Sequence, residues 1–226
     1  MTNKFGVLDI ETLGTPGDCG TTHVAMPSAA FVIWKGKDVL PTIYYGIYNV
    51  SEQLYKGAKV STGTIAFWMN EAKHNSAAQE IIDILVSNKA GVQIWNHVHD
   101  GKFIPVDSNA DVNRHISSLM SANNYNSLRF YGNGPDFDMT IFEANGYHSN
   151  AGTAVVPWKF WAVRSARNAN EHDVVMADIK KDAEVWAHIV FKEYSMMGRT
   201  NHTPSKHNAI YDALVEAYII AQTCEA

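Results

Sequence analysis

The sequence predicts an α/β fold in which a mixed β-sheet is flanked by α-helices, with residues 1–226 forming one domain. A chain of 226 residues is short enough to be built around a single core. Hydrophobic residues make up 46% of it and charged residues 18%, as in ordinary globular proteins. Three strand-like runs come first, and helical patterns then alternate with further strands, which is typical of a mixed sheet.

The predicted sheet begins with residues 5–11, a short apolar run that ends in acidic residues. Residues 24–34 and 38–48 are rich in Val, Ile, Tyr and Phe, and a Lys-Gly-Lys-Asp turn separates them. This pattern predicts a hairpin that continues the sheet. Residues 128–131 predict one more strand, which the Gly132-Asn-Gly-Pro135 sequence ends.

Helices are indicated by apolar residues at helical spacing and by capping residues. They are predicted from about Ser61, over 76–88, after a cap at Ser108 or Asn109, from Pro135 to Gly146, and over 204–222. Residues 96–110 are polar and are expected to be irregular.

Several classes of protein are disfavoured by composition. The first residues lack the apolar run and cleavage site of a signal peptide, and no stretch has the length and hydrophobicity of a membrane helix. The two cysteines, Cys19 and Cys224, stand near opposite ends and predict no disulfide framework. We therefore expect a protein without membrane attachment in the cytoplasm of a bacterial cell, or of the host cell if a phage encodes it.

The formal net charge of −5 is a weak argument against a nucleic-acid partner. The charge is unevenly distributed, since residues 151–206 hold 8 Lys and Arg against 6 Asp and Glu. Bound divalent cations would cancel part of the negative charge. The net charge alone therefore does not exclude binding to nucleic acid.

A first pair of carboxylates ends the first predicted strand. Side chains alternate along a strand with period two, so Asp9 and Glu11 lie on the same face. Carboxylates that close repel each other unless a cation lies between them. The same spacing at Asp182 and Glu184 occurs in a charged segment with helical character, where a solvated surface is favoured. The sequence therefore favours a metal site at Asp9 and Glu11.

A second pair of acidic residues stands where a strand turns into a helix. Asp136 and Asp138 follow the Gly-Asn-Gly-Pro turn, and either could cap the new helix and have only a structural role. Asp138 precedes Met-Thr-Ile-Phe at helical spacing and should lie one turn into the helix, pointing back over the sheet edge. We favour Asp138 as a metal ligand and Asp136 as a cap or a supporting residue.

A third motif pairs His207 with Asp212 near the C-terminus. Among the ten histidines, His207 alone has an aspartate five positions later. If His207 precedes the regular helix, its side chain can reach a metal ion that Asp212 binds. The plainer interpretation, a capping histidine and a surface aspartate, would be preferred for this motif on its own.

The three motifs occur in a characteristic order. Asp9-Ile-Glu-Thr, Gly132-Asn-Gly-Pro-Asp-Phe-Asp138 and His207-x-x-x-x-Asp212 resemble the exonuclease motifs of the DEDDh (DnaQ-like) group of 3′→5′ exonucleases. Residues 64–70 and 157–167 also resemble this group, especially exonuclease A of T-even bacteriophages and the mycobacterial 3′→5′ exoribonucleases. The resemblance covers most of the chain.

This resemblance implies an RNase-H-like fold and hydrolysis of single-stranded DNA or RNA from 3′ ends to nucleoside 5′-monophosphates. Two Mg²⁺ or Mn²⁺ ions would be held by Asp9, Glu11, Asp138 and Asp212, with His207 as the general base. The residue types agree, because oxygen ligands suit these cations better than zinc. Histidine has an unperturbed pKa of about 6.5, suited to taking a proton from water.

The resemblance also implies contacts with the substrate. It places Thr12 and Leu13 beside the terminal nucleotide, although Leu13 fits a core position equally well. Aromatic side chains at Trp68, Phe160 and Trp161 are candidates for stacking on bases. Candidates for phosphate contacts are Arg164, Arg167, Lys180, Lys181 and Lys206. The sequence does not distinguish a monomer from a homodimer.

Two other functions are kept as alternatives. The Asp9-Ile-Glu11 sequence is superficially like the nucleophile loop of haloacid-dehalogenase-like phosphatases, although that motif requires Asp at position 11. A non-catalytic nucleic-acid-binding module of the same fold would be expected to have lost a carboxylate. His97 and His99 alternate in a polar segment and are kept as a minor alternative for a metal site.

Overall fold

The structure is a computed structural model that describes residues 4–146, 160–162, 174–196 and 204–223. Within these residues a seven-stranded sheet has the order β5-β4-β3-β2-β1-β6-β7. Its strands are β1 (Phe5–Glu11), β2 (Ser28–Trp34), β3 (Thr42–Ile47), β4 (Ala90–Trp95), β5 (Ile104–Val106), β6 (Phe130–Gly132) and β7 (Phe160–Ala162). The strand β1 therefore lies inside the sheet, between β2 and β6.

The sheet is mixed. Strands β1 to β5 pair with antiparallel neighbours, and the predicted hairpin is formed by β2 and β3. Strands β1, β6 and β7 run parallel to one another. The sheet with its helices confirms the predicted α/β fold of the RNase-H-like type.

Helices cover both faces of the sheet. They are α1 (Pro16–Cys19), α2 (Val50–Tyr55), α3 (Thr62–Glu71), α4 (Ser76–Ser87), α5 (Asn109–Ala122), α6 (Thr140–Ala144), α7 (Val174–Met196) and α8 (Ala209–Thr223). Side chains from α4, α7 and α8 share one buried cluster with one face of the sheet, and those from α5 and α6 share a second cluster with the other face. None of the helices in the described ranges has both the length and the apolar character needed to cross a membrane.

Three local predictions need correction. The segment 96–110 is not wholly irregular, because it contains the short edge strand β5. Strand β6 begins at Phe130, two residues later than predicted. The last helix begins at Ala209 rather than near 204, because the side chain of Asn208 accepts hydrogen bonds from the N–H groups of Ile210 and Tyr211.

The topology places three parts of the chain at one edge. Parallel strands end at the same edge of a sheet, so β1 and β6 bring Glu11 and the turn after Gly132 together. Helix α8 packs across β1 and β2 on the face that carries Phe5, Val7 and Ala30. Side chains at the end of β1 on this face therefore meet the first turn of α8.

Candidate functional site

Three carboxylates converge at this edge of the sheet. Asp9 and Glu11 project from β1, and Asp212 projects from the first turn of α8. One oxygen atom from each lies within 4.8 Å of the others, which is the arrangement of a group that could hold a metal ion. Oxygen-only ligand sets suit Mg²⁺ and Mn²⁺. The first and third sequence motifs are thus brought together in space.

The carboxylates strongly perturb one another. Burial raises the pKa of Asp9 well above its usual value, and the negative charges of Asp212 and Glu11 raise it further. Burial likewise raises the pKa of Glu11, followed by the charge of Asp212. Ionising either side chain is therefore unfavourable until a cation offsets the repulsion.

Two further carboxylates near this group were not anticipated. Glu216 on α8 is buried, and its charge contributes to the raised pKa of Asp9. Glu80 on α4 contributes in the same way to the raised pKa of Glu11. Glu216 lies four residues after Asp212 and so on the same face of α8, a spacing that could have revealed it. Glu80 has no such signal, because only tertiary packing brings it near.

Asp138 lies next to the three-carboxylate group. Its side chain is 2% exposed, and its Oδ2 atom accepts a hydrogen bond of 3.1 Å from the N–H of Gly134. Its charge contributes to the raised pKa of both Asp9 and Glu11. Among the described residues, the group within 4.8 Å contains only Asp9, Glu11 and Asp212, so Asp138 stands at its border.

Asp136 occupies a different environment from Asp138. Residues Pro135–Met139 form a π-helical turn whose N-cap is Gly134, with no side-chain capping bond. Asp136 lies within that turn and is exposed. The expected cap role of Asp136 is therefore wrong, since the cap position falls on a glycine.

His207 lies in a turn immediately before α8. Its backbone has a φ of +69° and its N–H donates a 3.0 Å hydrogen bond to Oδ2 of Asp212. The imidazole ring lies edge-to-face against Phe67 at 5.2 Å and Trp68 at 5.8 Å between ring centroids. The plainer interpretation of this motif does not hold, because Asn208 caps the helix and Asp212 belongs to the carboxylate group.

Helix α3 is joined to the first motif through Trp68. Its indole Nε1–H donates a 2.9 Å hydrogen bond to the carbonyl of Thr12, and its side chain is buried. The hydroxyl of Thr12 donates to the carbonyl of Gly14.

Leu13 is 1% exposed and packs in the core, and a contact with the terminal nucleotide stays a prediction. Phe67, which the sequence did not single out, is 40% exposed beside His207.

The remaining predicted substrate contacts are either exposed or lie among residues that the structure does not describe, apart from Phe160. Arg164 and Arg167 lie outside the described residues. Trp161 is 52% exposed on β7, and the guanidinium of Arg129 lies 4.7 Å from its ring centroid. Lysines 180, 181 and 206 are exposed. For Phe160 the structure gives only its place in β7.

The alternative metal pair does not form a cluster. His97 and His99 lie in the turn between β4 and β5, and Nδ1 of His99 is 3.2 Å from Oδ1 of Asn96. Across the described residues, the potential metal-binding group is the one at the end of β1. The two histidines are therefore assigned no metal.

The sheet and helices define an α/β protein of the RNase-H-like type, with an acidic cluster that could bind metal at the end of the inner strand β1. Residues 4–224 match the family described as the 3′-5′ exoribonuclease Rv2179c-like domain. The chain belongs to this family. Comparisons with curated proteins and with solved structures found no match.

The raised pKa values predict how stability depends on pH and metal. A carboxyl whose pKa is raised by folding contributes stability that is complete below its unfolded-state pKa and is lost as pH rises through its folded-state pKa. The carboxylate group should therefore destabilise the metal-free protein increasingly as the pH rises towards neutral. Bound metal stabilises the native state, so the gain in Tm with Mn²⁺ over EDTA should be larger at pH 7.5 than at pH 5.5.

Asp9→Asn provides the control, because it removes one charge without changing shape. The variant should show a smaller difference in metal-free Tm between the two pH values. Equal melting temperatures with EDTA and Mn²⁺ at both pH values would contradict the metal site.

The contrasting environments of the two acids in the second motif predict different effects on activity. Asp138→Ala should lower cleavage by more than about 100-fold, since even residues that only support metal ligands contribute about 10–100-fold. Asp136→Ala should retain most activity, because the side chain is exposed. Asp138→Asn, which can still accept from Gly134, should be equally inactive while remaining folded. An active Asp138→Asn variant beside an inactive Asp136→Ala variant would reverse the assignment.

Proposed function

We propose that this chain hydrolyses single-stranded RNA, and single-stranded DNA as well, from the 3′ end and releases nucleoside 5′-monophosphates. The observation that carries the proposal is the convergence of Asp9, Glu11 and Asp212, with oxygens within 4.8 Å of one another, in a chain of an exoribonuclease family. On this proposal residues 1–226 act as one exonuclease domain.

The donor set fits two Mg²⁺ or Mn²⁺ ions. All four candidate ligands, Asp9, Glu11, Asp138 and Asp212, offer carboxylate oxygens, and their mutual repulsion favours cations in their midst. Ions held by these four carboxylates would lower the pKa of a water molecule and would stabilise the negative charge on the departing 3′ oxygen. The protein's own contribution is to hold the carboxylates in place before the metals arrive.

His207 is proposed as the general base that takes the proton from the attacking water. Its position supports this role, because its backbone N–H is hydrogen-bonded to the candidate ligand Asp212. Its ring lies beside Trp68, whose indole is hydrogen-bonded to Thr12 next to Glu11. A histidine outside the regular helix can direct its imidazole towards a substrate held by the metal ions. Neutral imidazole accepts a proton efficiently near neutral pH.

The substrate end is proposed to be unpaired. A terminal phosphodiester must enter a carboxylate-lined site, so a paired end would first have to open at a cost of a few kcal/mol. The exposed ring of Phe67 lies beside His207 and offers a stacking surface that tolerates any base. Arg164 and Arg167 remain proposed phosphate contacts on the basis of the sequence resemblance.

The two alternatives are less well supported. The phosphatase hypothesis lacks Asp at position 11, where Glu11 lies in the carboxylate group instead. A binding-only module has no need of three carboxylates held within 4.8 Å of one another. The energetic cost of assembling Asp9, Glu11 and Asp212 is more readily explained by catalysis.

Replacement of His207 tests the general base. His207→Ala should lower kcat by about 10²–10⁴-fold, the range for loss of a general base, while the rise in Tm with Mn²⁺ remains. The acidic limb of the pH–rate profile should flatten in the variant. Unchanged kcat, or loss of the Mn²⁺ effect on Tm, would give His207 another role.

The direction of attack can be measured with a single-stranded 20-mer labelled at its 5′ end. We expect a ladder that shortens by one nucleotide at a time, and resistance when the 3′ end is blocked. Labelled mononucleotide at the earliest times would indicate attack from the 5′ end. Internal fragments from a circular single strand would indicate an endonuclease. RNA and DNA versions of the same sequence should both be degraded.

A further inference from the structure

The peptide group that joins Lys206 to His207 is held from both sides. Its carbonyl oxygen accepts a 3.1 Å hydrogen bond from Nδ2 of Asn75, and its N–H donates 3.0 Å to Oδ2 of Asp212. A peptide group is planar and rigid, so two bonds on opposite sides fix its orientation. The plane of this peptide, together with the φ angle of His207, sets the direction in which the side chain leaves the backbone.

The backbone conformation of His207 is one that needs support from its surroundings. His207 has a φ of +69°, in the left-handed region that a residue with a β-carbon disfavours. Such conformations persist where the surroundings hold them, and they concentrate at functional sites. The hydrogen bonds from Asn75 and to Asp212 hold the peptide on one side of this dihedral angle, and the 3.3 Å hydrogen bond from the N–H of Asn208 to the carbonyl of Ser205 holds the peptide on the other side.

The side chain of Asn75 has an unambiguous orientation. Its Oδ1 atom accepts a 2.9 Å hydrogen bond from the N–H of Ala77, which makes Asn75 the N-cap of α4. The same oxygen accepts a 3.1 Å hydrogen bond from the hydroxyl of Ser205. Because a backbone N–H can only donate, the oxygen must face Ala77 and the NH₂ group must face the Lys206 carbonyl. One amide therefore joins the start of α4 to the turn that precedes α8.

A second link lies one turn further along α4. Nδ2 of Asn208 donates a 3.1 Å hydrogen bond to Oε2 of Glu80, while Oδ1 of Asn208 caps α8. The turn 205–208 is thus attached to α4 at two places. Asn208 is anchored within the core, which leaves Asn75 as the link to the exposed half of the turn.

We propose that Asn75 is a positioning residue for His207, acting through the carbonyl of Lys206. This inference rests on the proposed function, since it assigns Asn75 to the same active site. The amide of Asn75 touches neither the carboxylates nor the aromatic rings against the imidazole in the contacts described above. It holds the turn in which the His207 ring lies against Phe67 and Trp68 while the His207 N–H is bonded to Asp212.

Asn75→Asp separates this role from helix capping. Aspartate has the same shape, caps helices as well as asparagine and is favourable at a helix N-terminus. It can still accept from Ala77 and Ser205, but it presents an oxygen instead of an N–H to the Lys206 carbonyl. The variant should fold normally and keep the cap. It adds one negative charge and replaces the hydrogen bond from Asn75 to the Lys206 carbonyl, called the clamp below, with repulsion between two oxygens. Asn75→Ala loses both the clamp and the cap.

Ser108→Ala is the matched control for loss of a cap. Ser108 caps α5 by accepting from the N–H of Asp111, and α5 packs on the opposite face of the sheet. This variant should lose the part of the stability of Asn75→Ala that comes from the cap, because each lacks one N-cap side chain. Its kcat should equal that of the wild type.

We expect Asn75→Asp to lower kcat by about 10- to 100-fold, as small misplacements of catalytic groups do, with KM within about threefold. In a His207→Ala background, Asn75→Asp should cause no further loss, because residues that act through one another are not additive. Wild-type kcat in Asn75→Asp, or the same fold loss in both backgrounds, would overturn the proposal.

An NMR measurement keeps the inference independent of activity. The His207 ring protons lie against the rings of Phe67 and Trp68 and should be shifted by their ring currents in the metal-free protein. Asn75→Asp should move these resonances towards the values of an exposed histidine, and Ser108→Ala should leave them in place. If the wild type cleaves no nucleic acid, the proposed function fails. The resonances still show whether Asn75 positions the His207 ring. Unchanged resonances in Asn75→Asp would contradict this positioning role.

Discussion

The repulsion among closely spaced carboxylates is the constraint on which the rest of the site depends. Asp9, Glu11 and Asp212 bring like charges within 4.8 Å, and burial raises the cost of ionising the first two. Such an arrangement persists only if rigid elements hold the side chains together. The protein meets this requirement by mounting the carboxylates on an inner strand and on a buried helix rather than on loops.

The scaffold gains that rigidity from cores on both faces of β1. Val7 and Leu8 point in opposite directions, and each is fully buried in its own cluster. The neighbouring strand β6 approaches closely at Gly6, where an added β-carbon would lie 2.2 Å from the ring of Phe130. Glycine at this position therefore permits the parallel pairing that carries the second motif to the end of β1. A larger residue there would have to displace the buried ring of Phe130 on β6.

Local patterns predicted the parts of the site that depend on local geometry. The period of two along a strand places Asp9 and Glu11 on one face, and the hairpin and the capped helix α5 follow from turn and cap residues. The pattern missed β5, an edge strand of three residues that contains Pro105. It could not foresee Glu80 or Asn75, because α4 lies far from the third motif in sequence and reaches it only through tertiary packing.

The five-residue spacing in the third motif has a physical explanation in the turn before α8. Asn208 caps the helix, and the N–H of Asp212 donates a 2.9 Å hydrogen bond to its carbonyl, which places Asp212 on the first turn. From there its side chain reaches back to accept a hydrogen bond from the N–H of His207. If the regular helix included residue 207, this N–H would point in another direction. Asp212 therefore orients the histidine with one oxygen while its carboxylate belongs to the acidic group. If the helix began one residue earlier or later, Asp212 could not both accept from the N–H of His207 and lie in the acidic group. The site therefore depends on the cap at Asn208, which fixes where the helix begins.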